Sequence, residues 1–180
     1  MTNFAIYFSN ILSVLTALGQ ILILVLLFSF VFKKEFDALA FFKKNALVLS
    51  FITVLAGTIL SLTYSNIIGF APCKLCYIQR FFLYPQLLIL GIALFKKNKW
   101  LINFALILSI FGAAVAAYHY YGQMFNSSVL TCSIQSNGAS LCSQIPFIEF
   151  GYITIPMFSL TTFLMIVALL LSEKRKNPLE

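Results

Sequence analysis

Charge is what this sequence has least of. Only 9% of its 180 residues are Asp, Glu, Lys or Arg, against about 25% in a soluble domain. Five acidic residues show no paired-carboxylate site for general acid–base work, and no glycine-rich phosphate loop is visible. The basic residues outnumber the acidic ones, for a formal net charge of +7. They form short clusters between apolar runs and never a basic face, which excludes nucleic acid as the partner. No Lys or Arg precedes the first apolar run, and that run is too long for a signal peptide, so a retained first helix is expected.

What is present is hydrophobic: 61% of the chain, including 20 phenylalanines that read as lipid-facing and bundle packing. The expected fold class is all-α, a single integral membrane bundle over 1–180. A helix needs about 20 apolar residues to cross the hydrocarbon core. Five runs qualify, at about 4–32, 46–68, 76–95, 100–121 and 152–172. Gly69 to Pro72 break the second, Pro85 lies inside the third, and Pro156 sits in the first turns of the fifth. Trp100 at one end of the fourth span, and Tyr118, Tyr120 and Tyr121 at the other, read as interfacial anchors.

The lysines then set an orientation. Four basic residues lie between spans one and two, three between spans three and four, and three in the tail. The loop 122–151 has none. The positive-inside rule therefore predicts the N-terminus outside and the C-terminus inside. The outer loops are 69–75 and 122–151, and all four cysteines fall on or beside them. That face is the compartment where disulfides form and persist.

Cys73 and Cys76 make a CxxC at the mouth of the third span, in Pro72-Cys73-Lys74-Leu75-Cys76-Tyr77-Ile78-Gln79-Arg80. Two thiols at this spacing can close a small ring and reopen it. A helix N-terminus carries about half a positive charge, and Arg80 adds a full one a turn beyond Cys76, which favours a thiolate. Arg80 could instead be an interfacial anchor whose side chain snorkels to the headgroups. Cys132 and Cys142 form a second pair around the turn signal Asn137-Gly138 and can close a disulfide. Alone they read as a loop staple; beside a CxxC on the same face they read as half of a relay. A four-cysteine zinc site would need all four thiolates in a tetrahedron. His119, the one histidine, is compatible with a packing role or a functional one. Asn126-Ser127-Ser128 matches a glycosylation acceptor, a pattern frequent by chance.

Pro-Cys-x-Leu-Cys-x-x-x-Arg at the start of a membrane helix resembles the disulfide bond formation protein B (DsbB) family of bacterial inner-membrane thiol oxidases. The likeness runs from the second span onward and takes in Arg80, His119, the second cysteine pair and a final span opening with Ile155-Pro156. It implies a thiol:quinone oxidoreductase that reoxidises a periplasmic, thioredoxin-fold DsbA-like oxidase and passes electrons to ubiquinone or menaquinone in the membrane. Residue by residue, it implies attack by the partner on Cys132, with Cys142 as its mate in the loop disulfide. It implies exchange between Cys73 and that pair through a transient Cys73–Cys142 bond, contact of Cys76 with the quinone, and a quinone pocket lined by Arg80 and His119. Two features depart from the pattern: the first span is additional to a four-helix core, and Cys132 and Cys142 lie closer in sequence. Ser143 to Tyr152 is expected to lie on the bilayer surface in place of the family's membrane-skimming helix. A vitamin K epoxide reductase-like quinone reductase shares the bundle and the two pairs, but its loop pair precedes the CxxC. A non-enzymatic scaffold with stapled outer loops is the alternative outside enzymology.

Overall fold

Apolar runs of this length can satisfy their backbone in lipid only as helices, and among the described residues five long helices result. The computed structural model describes residues 3–32, 41–42, 44–96, 98–125, 142, 145 and 148–176. Helix α1 spans Asn3–Phe32, α2 Ala46–Leu62, α3 Lys74–Lys96, α4 Lys99–Met124 and α5 Ile155–Lys176. All five are long and apolar enough to cross a membrane. The expected spans match these helices to within a few residues at each end.

Hydroxyl side chains inside the spans are satisfied locally. Thr16, Ser50, Thr58 and Ser172 each donate 2.8 Å to the carbonyl four residues earlier, so a polar residue costs the apolar helix little. Pro85 removes one backbone donor, yet α3 runs through it from Lys74 to Lys96.

Helices α2 to α5 close into a ring: α2 packs on α3 and α5, and α4 packs on α3 and α5. Its core joins Val54, Leu83, Leu90, Ala105, Phe163 and Ile166. On α4 the buried positions include Ala105, Ser109, Gly112, Ala113 and Ala116, one face of small residues that lets neighbours approach closely. Gly112 shows why: a Cβ there would overlap the Phe163 ring. Ser109 Oγ lies 2.9 Å from Gln86 Oε1, a buried polar tie between α4 and α3. Helix α1 stands outside the ring and packs along α5. The outer faces carry large apolar side chains such as Phe81, Leu88 and Phe95, a surface suited to lipid.

Two connections shape the end of the bundle that carries the cysteines. Past Leu62 the α2 helix widens into a π turn, Thr63–Ile67, which buries Tyr64; such turns recur at functional sites. Gly69, at φ 85°, then turns the chain toward Cys73 in a conformation that favours glycine. Before α5, Glu149 and Ile153 exchange backbone hydrogen bonds of 2.9 and 3.0 Å around Phe150 and Gly151, both at positive φ. That tight turn delays the fifth helix to Ile155, three residues later than the apolar run suggests. Of the segment expected on the bilayer surface, 143–144 and 146–147 lie outside the described residues. So do the Asn137-Gly138 turn and Cys132.

Candidate active site

Cys73 ends the connection and Cys76 lies in the first turn of α3, where Tyr77 N–H donates 3.1 Å to the Cys73 carbonyl. Three residues apart on a helix start, the side chains share a face. Their sulfurs are 3.5 Å apart, and both thiols are free. Cys73 is buried and Cys76 half-buried.

Helix α4 brings His119 to this pair. Its Nε2 is 3.8 Å from Cys73 Sγ and 3.3 Å from the Cys142 carbonyl oxygen. Its Nδ1 is 3.2 Å from the Gln79 amide nitrogen. That amide nitrogen can only donate, so Nδ1 accepts and the ring proton sits on Nε2, facing the sulfur and the carbonyl. A hydrogen bond from Cys76 holds the Cys73 thiol well below the ordinary thiol range, and the His119 contact adds to this, against the opposing effect of burial. Cys73 is therefore the thiolate of the pair.

Cys142 is disulfide-bonded and 1% exposed. Cys73 Sγ, Cys142 Sγ and a His119 ring nitrogen all lie within 4.8 Å of one another. Three such groups would suggest a metal centre, but a disulfide sulfur has no thiolate to give, and the donor set does not fit zinc. It fits thiol–disulfide exchange, which needs a thiolate beside a disulfide sulfur. A polar loop implies exposed cysteines; instead Cys142 packs in one cluster with Cys73, Leu75 and Cys76.

On the other side of the pair lies a cavity of about 110 Å³, between α1, α2, α3, α5 and the 69–73 connection. Cys76 and Arg80 line it. Arg80 is fixed from α2: Nε donates 2.9 Å to Ser61 Oγ and Nη2 donates 2.9 Å to the Ser61 carbonyl. Its guanidinium also stands 5.7 Å from the Tyr77 ring centroid. The rest of the lining is mainly apolar, with Leu60, Phe70, Leu83 and Phe158 among it. An aromatic-sized apolar molecule with carbonyl oxygens suits such a lining, the oxygens meeting Arg80. His119, which the resemblance puts in the quinone pocket, is not among the lining residues; its ring meets Cys73, Gln79 and Cys142.

Most of the chain matches known proteins. The family described as "Disulfide bond formation protein DsbB" matches residues 43–172. The chain belongs to the DsbB family. Among its relatives, the SPbeta prophage-derived disulfide bond formation protein B of Bacillus subtilis is 40% identical over 123 residues, 68% of this chain and 81% of that protein. A probable disulfide formation protein of Chlamydia caviae is 36% identical over 137 residues, 76% of this chain and 97% of the other. One from Metapseudomonas resinovorans is 32% identical over 135 residues, 74% and 92% of the two chains. No solved structure matches the chain. As a DsbB-family member it is a multi-pass membrane oxidoreductase of disulfide formation, and helix α1 lies outside the matched segment.

Sequence reasoning missed Gln79 and Ser61. Gln79 stands next to Arg80 in the motif, but nothing in one sequence says that it meets a histidine forty residues on. Ser61 is one of many hydroxyls in apolar runs and carries no local mark.

Proposed function

We propose that the chain is a thiol:quinone oxidoreductase that reoxidises a DsbA-like, thioredoxin-fold dithiol protein outside the cytoplasmic membrane. The observation that carries this reading is the position of Cys73, 3.5 Å from Cys76 and beside the sulfur of a second, disulfide-bonded cysteine. A reduced partner attacks Cys132, the Cys132–Cys142 bond breaks, and Cys142 leaves as a thiolate. Cys142 attacks Cys73 of an oxidised CxxC, and Cys76 leaves as a thiolate. The partner's second thiol releases Cys132 from the mixed disulfide, and Cys132 then displaces Cys73 from Cys142. The loop disulfide is restored, the partner is oxidised, and Cys73 and Cys76 hold two electrons. Two free thiols, Cys73 and Cys76, beside a disulfide-bonded Cys142 support this reading.

The lining of the cavity fits a quinone, ubiquinone or menaquinone, held by Arg80 and the apolar side chains around it. The Cys73 thiolate and Cys76 thiol would give such an acceptor two electrons and one proton as they close to a disulfide, the second proton coming from the aqueous face. Arg80 orients a carbonyl oxygen toward the Cys76 side, while the surrounding apolar residues exclude water. His119 adds to the effect of Cys76 in favouring the Cys73 thiolate, and its ring holds Cys73 beside Cys142. The lysine clusters support an orientation with both pairs on the extracytoplasmic face of a bacterial inner membrane.

Mixing the purified protein with a reduced thioredoxin-fold dithiol protein and quinone tests the reading. Quinone absorbance should fall as the partner is oxidised, one quinone per disulfide. Partner oxidation that ran at full rate without any quinone, or not at all with it, would overturn it.

A further inference from the structure

Helix α1 is outside the family match and outside the ring of four, yet it reaches the cavity. Leu12 lines the cavity beside Tyr64 and Phe158. The same residues form one cluster, in which Leu12 and Tyr64 are buried. Above Leu12, Ser9 Oγ lies 3.3 Å from the Tyr64 hydroxyl, and the Phe8 and Tyr64 ring centroids are 5.7 Å apart. Below it, Gln20 Nε2 donates 3.1 Å to Thr161 Oγ1 of α5, and Gln20 Oε1 accepts from the Tyr152 hydroxyl at 3.0 Å. A helix that served only as a lipid-facing anchor would have no use for Ser9, Thr16 and Gln20. Here Ser9 and Thr16 are buried against the bundle, and lipid-facing Ile11 and Leu15 alternate with them.

The size of the cavity sharpens the point. About 110 Å³ is the order of the roughly 150 Å³ apolar cavity that takes up benzene. It has room for a ring and none for an isoprenoid tail, so a tail must leave between helices. On the α3 side the lining carries the polar side chains of Gln79 and Arg80 beside Leu83. Between α2 and α5 the floor is tight: a Cβ on Gly57 would stand 3.0 Å from Thr162 Cγ2. Toward α1 the lining is apolar, made by Leu12 with Leu60 of α2 and Phe158 of α5.

We infer that α1 is the side wall of the acceptor site, and that Leu12 selects the acceptor by the isoprenoid tail that passes beside it. The inference rests on the quinone reading above and adds a binding element that the four-helix core does not contain. For the ring, Leu12 is one lining residue among many; a tail that leaves past Leu12 depends on α1 far more.

The test uses the full-length protein in lipid nanodiscs and a benzoquinone carrying a photoreactive diazirine on its tail. In the unaltered protein, irradiation should label peptides from the α1 segment around Leu12, and unlabelled tailed quinone should suppress that labelling. Leu12→Trp should weaken retention of a decyl-tailed quinone roughly tenfold, and much less that of tailless benzoquinone. Ile11→Trp, on the lipid side of the same turn, should change neither. Label confined to the other helices, or equal retention in the Leu12 and Ile11 variants, would overturn the role of α1 and leave the quinone reading intact. Failure of the unaltered protein to retain or reduce any quinone would remove the quinone reading itself, and this inference with it.

Discussion

Cys73 and Cys76 are separated by 3.5 Å and occupy different surroundings. Around Cys73 stand a histidine ring from α4 and a loop disulfide, both groups that handle thiolates and protons. Around Cys76 stand an apolar cavity and an arginine fixed from α2. One side suits the exchange of sulfur bonds, the other suits an apolar molecule. The contrast teaches that a CxxC can be a boundary: its two members need not share one environment even when they share a bond.

The sharpest way to break the comparison is to remove one sulfur at a time. Cys76→Ser should still form the Cys73–Cys142 bond, seen by mass spectrometry of trapped peptides, but should reduce no quinone. Cys142→Ser leaves Cys132 as a free thiol, which on mixing with the oxidised partner should open its disulfide and accumulate a Cys132–partner mixed disulfide, visible on a non-reducing gel. Identical behaviour of the two variants would erase the distinction.

Arg80→Gln and His119→Ala probe the same division by smaller effects. The arginine variant should raise the KM for quinone by about tenfold, the factor that follows from losing one charge-assisted contact of about 1.4 kcal/mol. The KM for the partner should stay within about twofold. His119→Ala should slow exchange between the pairs and leave the quinone KM near its original value.

The pH dependence sharpens the Cys73 side further. A thiolate is present above its pKa, and Cys73 lies well below the ordinary thiol range because Cys76, and then His119, hydrogen-bond to it. Its alkylation rate should therefore stay flat through neutrality and fall only in the acid range. An ordinary thiol loses rate from about pH 8.5 downward. Removing His119 should move the midpoint upward.

The smallest effect on the comparison comes from the core. Gly112→Ala forces a Cβ into the Phe163 ring and should cost about 1–3 kcal/mol of stability by overpacking. Thermal unfolding in detergent should register that loss, while the ratio of the two KM values stays unchanged.

Most of the fold was legible because each span states its own length and each lysine cluster its own end. Cys73, Cys76 and Arg80 were legible for the same reason, since the motif is contiguous. The π turn at Thr63–Ile67 and the reversal at Phe150–Gly151 were not, because an apolar run carries no sign of where a helix widens or is delayed. Nor was the burial of Cys142, which depends on a neighbour 69 positions away in chain order. The partner of His119 was hidden similarly: the contact runs from α3 to α4, and periodicity reports only a helix's own faces. Helix α1 was read as a span of unknown purpose, and its meeting with Tyr64 is a tertiary fact.

Gln79 and Arg80 are neighbours in sequence on the first turns of α3, and their side chains turn to different helices, Gln79 to His119 and Arg80 to Ser61. Both halves of the chemistry thus hang from one short rigid stretch, while the surfaces that complete them belong to α4 on one side and to α1, α2 and α5 on the other. Substitutions on α1 and α2 can therefore reshape the cavity without touching the His119 side, and the reverse. The cost of that freedom is borne by the hinge pair itself: a substitution that tilts this stretch of α3 disturbs both halves together.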